Sequence, residues 1–264
     1  MLRYKAIVLT GLFLALIGPL GQANAAQSTA DVIAAAIADS HRPDADRKQD
    51  ANRKSQQVLE FAGVKPGDRV ADFIPGGGYV TRLFSKIVGD KGHVYAVVPE
   101  ELFNMRADAD ASVKAIAADP AYPNVTVLRE PVNKFSAPEM LDMVWTSMNY
   151  HDLHDKFFGP ADMAALNKAI FNALKPGGIY LVLDHAAAAS SGVRDTDTLH
   201  RIDPAVVKKE VLAAGFVLDG QSDVLHNPDD DHTLKVFNPA IRGKTDKFIF
   251  KFRKPMVADH ADSM

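Results

Sequence analysis

The chain has 264 residues, a formal net charge of −3, 47% hydrophobic residues and no cysteine. That size and apolar content suit one α/β domain with a sizeable core, and the charge balance lacks the basic excess expected of a nucleic-acid binder. Without cysteine there is no disulfide, thiolate-held zinc, thiol nucleophile or lipoprotein acylation site.

Elements follow in chain order. Arg3 and Lys5 precede an apolar run over residues 6–20, and Ala23-Asn24-Ala25 follows with small-x-small spacing. This is the pattern of a cleavable secretory signal over residues 1–25. The run falls short of the roughly 20 residues that span a bilayer, so no stable membrane insertion is expected once it is removed. The expected location is the bacterial periplasm. Residues 26–62 form an expected N-terminal helical segment, with helices over 30–37 and 46–61 broken at His41-Arg42-Pro43. Asp50 and Arg53 are placed to pair across one turn.

From residue 63 strands and helices alternate. Strands are expected at 69–74, 93–98, 124–128, 141–148 and 179–183, and a closing pair at 216–218 and 247–252. Helices are expected at 79–88, 107–118, 161–174 and 204–214, the last with proline in its first turn. Such alternation predicts a mostly parallel sheet covered on both faces. Residues 63–254 form the expected domain and 255–264 a disordered tail.

The first strand ends in Asp72-Phe73-Ile74-Pro75-Gly76-Gly77-Gly78, followed by a helix. A glycine turn lets a ligand approach the backbone, and the helix N-terminus beyond it favours a carboxylate or phosphate. The third glycine of the dinucleotide fingerprint is missing. Two further groups fall at strand ends: Asn149-Tyr150-His151-Asp152-Leu153-His154 after the fourth strand, and Asp184-His185 at the end of the fifth. Histidine beside a carboxylate suits general-base work near neutral pH. His151, Asp152 and His185 are therefore the catalytic candidates. His151, His154, Asp184 and His185 also form a possible cysteine-free metal set.

The connection at 186–203 is long for a loop. It reads as a lid that turns His200 and Arg201 toward the pocket, unless Asp203 merely caps the next helix and Arg201 pairs with an acid. Asp229-Asp230-Asp231-His232 reads mainly as a solvated turn.

Residues 64–78, the Leu174-Lys175-Pro176-Gly177-Gly178 stretch before the fifth strand and Leu141-Asp142-Met143-Val144 in the fourth resemble class I S-adenosylmethionine (SAM)-dependent methyltransferases. More narrowly the chain resembles a group of exported bacterial methyltransferases. The shared runs include Pro75-Gly76-Gly77-Gly78-Tyr79, Asn149-Tyr150-His151-Asp152, 198–203 and 240–246.

The resemblance implies a Rossmann-like, seven-stranded sheet with an antiparallel last strand and helices on both faces. It also implies SAM as cofactor; together with the glycine turn and the strand-end histidines, the expected activity is methyl transfer to a small-molecule acceptor. Asp72, Pro75, Gly76, Gly77 and Gly78 would surround the methionine part of SAM, Glu130 would face the adenine, and Asn149 would lie beside the cofactor. Two positions depart from the family pattern. Ile74 stands at the first glycine position, and Val98 at the acid that ends the second strand, leaving Glu100 as the nearest replacement. The competing readings are a binding protein on a repurposed methyltransferase fold and a metal-assisted hydrolase.

Overall fold

A computed structural model describes residues 27–158 and 161–256. The expected signal segment and all but the first two residues of the expected tail lie outside the described residues. No described helix is long and apolar enough to cross a membrane.

The N-terminal segment folds as α1 (Thr29–Ala38), α2 (Asp44–Arg47), α3 (Asp50–Arg53) and α4 (Ser55–Ala62). The expected continuous helix over 46–61 is therefore three short ones. The break between α3 and α4 falls at Lys54, whose φ of 45° is left-handed and cannot continue a helix. Its ammonium group reaches the Val224 carbonyl at 2.6 Å, a tertiary contact that sequence periodicity does not carry.

The remaining elements are β1 (Arg69–Phe73), α5 (Tyr79–Val88), β2 (His93–Pro99), α6 (Ala111–Ala117), β3 (Val125–Glu130) and β4 (Leu141–Ser147). They continue with α7 (Met163–Ala173), β5 (Leu174–His185), α8 (Thr196–Leu199), α9 (Pro204–Ala213), β6 (Val217–Ser222) and β7 (Lys247–Arg253). The strands form one sheet in the order β3-β2-β1-β4-β5-β7-β6, and only β7 runs antiparallel to its neighbours. This is the expected architecture. Two elements differ in extent. The helix expected at 107–118 starts only at Ala111, and β5 begins five residues early, running through Pro176-Gly177-Gly178 by way of a register shift between Leu141 and Met143.

Alternate strand residues feed two cores. Val70, Met143, Trp145, Leu181 and Leu183 face α1, α4 and α5. Ala71, Phe73, Val144, Tyr180 and Val182 face α7 and α9. A sheet buried on both faces explains the near-continuous apolar strands. Asp203 does cap α9, accepting the Ala205 amide at 2.9 Å.

The order reverses between β1 and β4, so β1 and its following turn stand where an open α/β sheet parts its crossovers. The β6–β7 connection, residues 223–246, carries no regular element and folds over this same carboxyl edge.

Candidate active site

The turn after β1 is built around backbone conformations that most side chains avoid. Ile74 has φ 59°, Gly76 φ 55° and Gly78 φ 76°. A branched residue in the left-handed region is strained, and such strain persists only where neighbours hold it. Here the Ile74 amide donates to the Val97 carbonyl at 3.0 Å, and the Asn149 amide group donates to the Ile74 carbonyl at 2.9 Å. The Ile74 position thus keeps the backbone shape a glycine would take, at a conformational cost. A Cβ on Gly76 or Gly77 would meet nothing within 4 Å, so this part of the turn faces open space. Gly78 differs: a Cβ there would fall 2.1 Å from Ile116, so its smallness serves helix packing against α6.

Asp72 is buried and accepts the Thr81 hydroxyl at 2.6 Å, bracing the end of β1 against α5. Burial pushes its carboxyl up to about 6, against the lowering pull of Thr81. The unfolded chain therefore gives up this proton near pH 4 and the folded chain only near pH 6, so stability falls as pH rises through that window. Asp72→Asn, which keeps an acceptor for Thr81, is expected to abolish roughly 2–3 kcal/mol of that fall. Urea unfolding of both proteins at pH 4 and pH 7.5 measures it, and equal pH dependence in the two would overturn the assignment.

The ends of β4 and β5 bring the histidines together. The fully buried Asp184 carboxylate accepts the His151 amide at 2.8 Å, His151 Nδ1 at 2.8 Å and the His185 amide at 2.7 Å. His151 Nε2 lies 3.0 Å from His200 Nδ1 and 3.2 Å from Asp152 Oδ1. Burial alone would lower the His151 pKa, but the charge of Asp184 and the bond to Asp152 outweigh it and lift it to about 10. His185 is the opposite case. Burial, then the charges of Lys247 and His151, hold it well below its ordinary value. Its Nδ1 is 2.8 Å from the Thr245 hydroxyl. With no metal ion bound, His151 is thus a cation at neutral pH and His185 a neutral imidazole.

A cavity of about 440 Å³ opens over these groups. Its floor includes Trp145, Ser147, His151, Asp152, Leu183 and His185. Tyr79, Val80 and Leu83 of α5 form one wall. Arg53 from the N-terminal segment, and Phe237, Arg242 and Thr245 from 223–246, close it. The N-terminal wall is fixed by buried Arg42, which donates to Asp50 at 2.7 and 2.9 Å and to the Ile37 carbonyl at 2.6 Å. Tyr79 in turn donates to Asp50. Asp50 therefore pairs with Arg42, not with Arg53 as the spacing suggests. Arg53 instead stacks on the Tyr79 ring at 4.2 Å and lines the cavity. Lys247, on the same lining, is brought down to about 8 by burial.

His151, Asp152 and His185, the catalytic candidates, all line this cavity, and His200 joins them. The expected cofactor residues do not. Asn149 is buried beside the Gly76 turn, and Gly76 and Gly77 face outward next to the cavity wall at Tyr79. Glu100 is about half exposed and lies 3.7 Å from Arg129; it and Glu130 sit at the ends of β2 and β3, outside the cavity lining.

Three further expectations fail. Arg201 is fully buried and does not face the cavity: it holds Asp230 at 2.9 and 3.0 Å and the carbonyls of Ala186 and Leu234. Asp230 is accordingly no solvated turn residue. The metal set of His151, His154, Asp184 and His185 is split, because His154 faces Glu210 at 3.3 Å and Asp184 is spent on His151 and two backbone amides. Arg53, Trp145, Thr245 and Lys247 were not legible as lining residues. Each is an ordinary helix, strand or loop residue until the chain folds.

No protein-family model matches the chain. It is 30% identical over 142 residues to the ubiquinone/menaquinone biosynthesis C-methyltransferase UbiE of Pseudomonas paraeruginosa, covering 51% of this chain and 48% of that one. UbiE of Vibrio campbellii is 31% identical over 133 residues, covering 48% and 45%. The chain thus spans about half the length of the curated relatives it matches. Among solved structures, a SAM-dependent methyltransferase from Aquifex aeolicus superposes with TM-score 0.51 at 22% identity, covering 75% of this chain and 88% of that one. The glycopeptide N-methyltransferase MtfA, complexed with sinefungin, gives 0.53 at 16% identity, covering 77% and 86%. The [4+2]-cyclase SpnF gives 0.56 at 17% identity, covering 86% and 93%. At these identities the solved structures show the fold alone, the Rossmann-like fold found in SAM-dependent methyltransferases, and the curated relatives are C-methyltransferases matched over about half their length. The same fold also serves a [4+2]-cyclase, SpnF, so the reaction must be argued from the site.

Proposed function

We propose that the chain is a SAM-dependent methyltransferase acting on a small-molecule acceptor in the periplasm. One observation carries the reading: a cavity at the sheet's carboxyl edge sets a neutral, partly buried histidine, His185, beside the helix that follows an open glycine turn. The N-terminal pattern of Arg3, Lys5, the apolar run and Ala23-Asn24-Ala25 supports the location.

The residues fit the cofactor at two points. Gly76 and Gly77 leave room for its amino-acid end, where the N-terminus of α5 favours a carboxylate. Asn149 Oδ1 is buried without a hydrogen-bond partner among the described residues and offers an acceptor for an ammonium group. When bound, SAM supplies an electrophilic methyl group on a sulfonium centre. The apolar walls of Trp145, Leu83 and Leu183 exclude water from the acceptor. His185 takes the proton of the acceptor's hydroxyl or amine, and Thr245 at Nδ1 fixes the orientation of its ring. His151 turns Nε2 toward His200 and Asp152 rather than toward the acceptor. Arg53, Arg242 and Lys247 add cationic character, so an acceptor bearing an anionic group suits the cavity.

Calorimetric titration with SAM and S-adenosylhomocysteine tests the reading. The expected result is micromolar binding that Gly77→Asp abolishes. Gly77 is exposed with open space at its Cβ, so the substitution leaves the fold intact while placing a carboxylate where the ligand's own would lie. A folded protein that binds neither compound at millimolar concentration would overturn the proposal and favour a binding protein on the same fold.

A further inference from the structure

Three side chains lining the cavity bring one ligand-type atom each within 3.5 Å of one another. His151 Nε2 is 3.0 Å from His200 Nδ1 and 3.2 Å from Asp152 Oδ1, and His200 Nδ1 is 3.5 Å from that same oxygen. We propose that His151, Asp152 and His200 hold a divalent metal ion of the zinc class, with its remaining coordination position open to the cavity.

The triangle has the dimensions such an ion requires. Tetrahedral zinc with bonds of about 2.0–2.1 Å needs neighbouring ligand atoms about 3.3–3.4 Å apart. The three observed edges bracket that separation. An ion equidistant from the three atoms at that bond length stands roughly 0.8 Å out of their plane, close to its place in a regular tetrahedron. Two imidazoles with one carboxylate select zinc-like ions over magnesium or calcium, which prefer all-oxygen sites.

Surrounding groups support the arrangement. Asp184 accepts His151 Nδ1 at 2.8 Å and is itself fixed by two backbone amides. A carboxylate behind a ligating histidine fixes its tautomer and turns the other nitrogen's lone pair toward the ion. His200 sits at φ 54°, a left-handed conformation that a histidine adopts at a cost, and its ring packs on Phe237 with centroids 4.8 Å apart. Asp155, 4% exposed, ends the same turn of chain, and neither of its carboxylate oxygens has a hydrogen-bond partner among the described residues. Its negative charge also acts on His200.

All three ligands line the cavity, so this is an open site of three protein ligands, the type that binds or polarises a small molecule rather than one that only supports the fold. An oxygen-donor ligand with anionic character suits the fourth position, with Arg53 and Arg242 on the facing walls. The inference stands whether or not the cavity supports methyl transfer.

The test uses the chelator-stripped protein titrated with Co(II) alone and then with Zn(II). The expected result is one cobalt per chain with the visible absorption bands of tetrahedral coordination, displaced by one equivalent of zinc. His200→Ala and Asp152→Asn are expected to weaken zinc binding at least 10–100-fold, while His154→Ala leaves it unchanged. Thermal melts of the metal-free variants establish that each remains folded; Asp152→Asn, close in size to the native residue, guards against loss through misfolding. Absence of stoichiometric cobalt binding by the folded protein would overturn the site. So would binding that survives both substitutions, which would leave the triangle as hydrogen bonding between His151, His200 and Asp152.

Discussion

Arg201→Ala is expected to destabilise the protein by about 3–5 kcal/mol, the cost of breaking a buried ion pair by removing one partner. The guanidinium is fully buried and all its hydrogen bonds run to protein: Asp230 at 2.9 and 3.0 Å, Ala186 O at 3.0 Å and Leu234 O at 3.1 Å. Without it Asp230 becomes a buried charge held only by backbone amides, those of Asp246 and His232. The loss also loosens the cavity. Asp230 anchors the 223–246 connection, whose residues Phe237, Arg242 and Thr245 form one wall. Urea denaturation of the single variants Arg201→Ala and Asp230→Asn and of the double variant measures the pair. A loss under 1 kcal/mol for Arg201→Ala would mean that water reaches the pair in solution.

His185→Gln is expected to lower turnover about 10²–10⁴-fold, the usual contribution of a positioned general base, while SAM affinity stays within a factor of a few. The side chain lines the cavity, is neutral at physiological pH and contacts Thr245, whereas Gly76 and Gly77 do not line that cavity. Transfer of labelled methyl to acceptors drawn from a panel of anionic phenols and amines gives the rate, and calorimetry gives the affinity. Glutamine preserves much of the shape and hydrogen bonding but takes up no proton at neutral pH. Equal loss of turnover and of SAM binding would assign His185 a structural role instead.

His151 makes the contrast instructive. From the sequence His151 and His185 are equivalent, each beside an aspartate at a strand end. The fold separates them. Asp184 turns its carboxylate onto His151 and onto the His185 backbone, so the ring of His185 gains no carboxylate partner although it is the adjacent residue. One histidine is charged and the other neutral because of side-chain direction alone. The same holds for Arg201 and His200. Adjacent residues of one expected lid part company, His200 to the cavity and Arg201 to the interior.

The sheet and its order followed from local chemistry. Apolar runs of strand length separated by helical periods, closed by Pro-Gly and Gly-Gly turns, leave little choice but a parallel sheet covered on both faces. The strand-end histidines and the glycine turn were legible for the same reason: chemistry in such sheets gathers at the carboxyl edge. Lining residues such as Arg53 and Lys247 were not, because they are 194 positions apart and meet only when the N-terminal segment and β7 fold against the same edge.

By itself, then, the sequence determined the sheet, the turn after β1 and the set of histidines available for chemistry, since these depend on residue periodicity and on which residues tolerate a tight turn. The tertiary structure alone decided which histidine is charged, that Ile74 takes the left-handed backbone of a glycine, and that His151, Asp152 and His200 converge within 3.5 Å. Those properties depend on burial and on distances between residues remote in the chain, which only the packed fold sets.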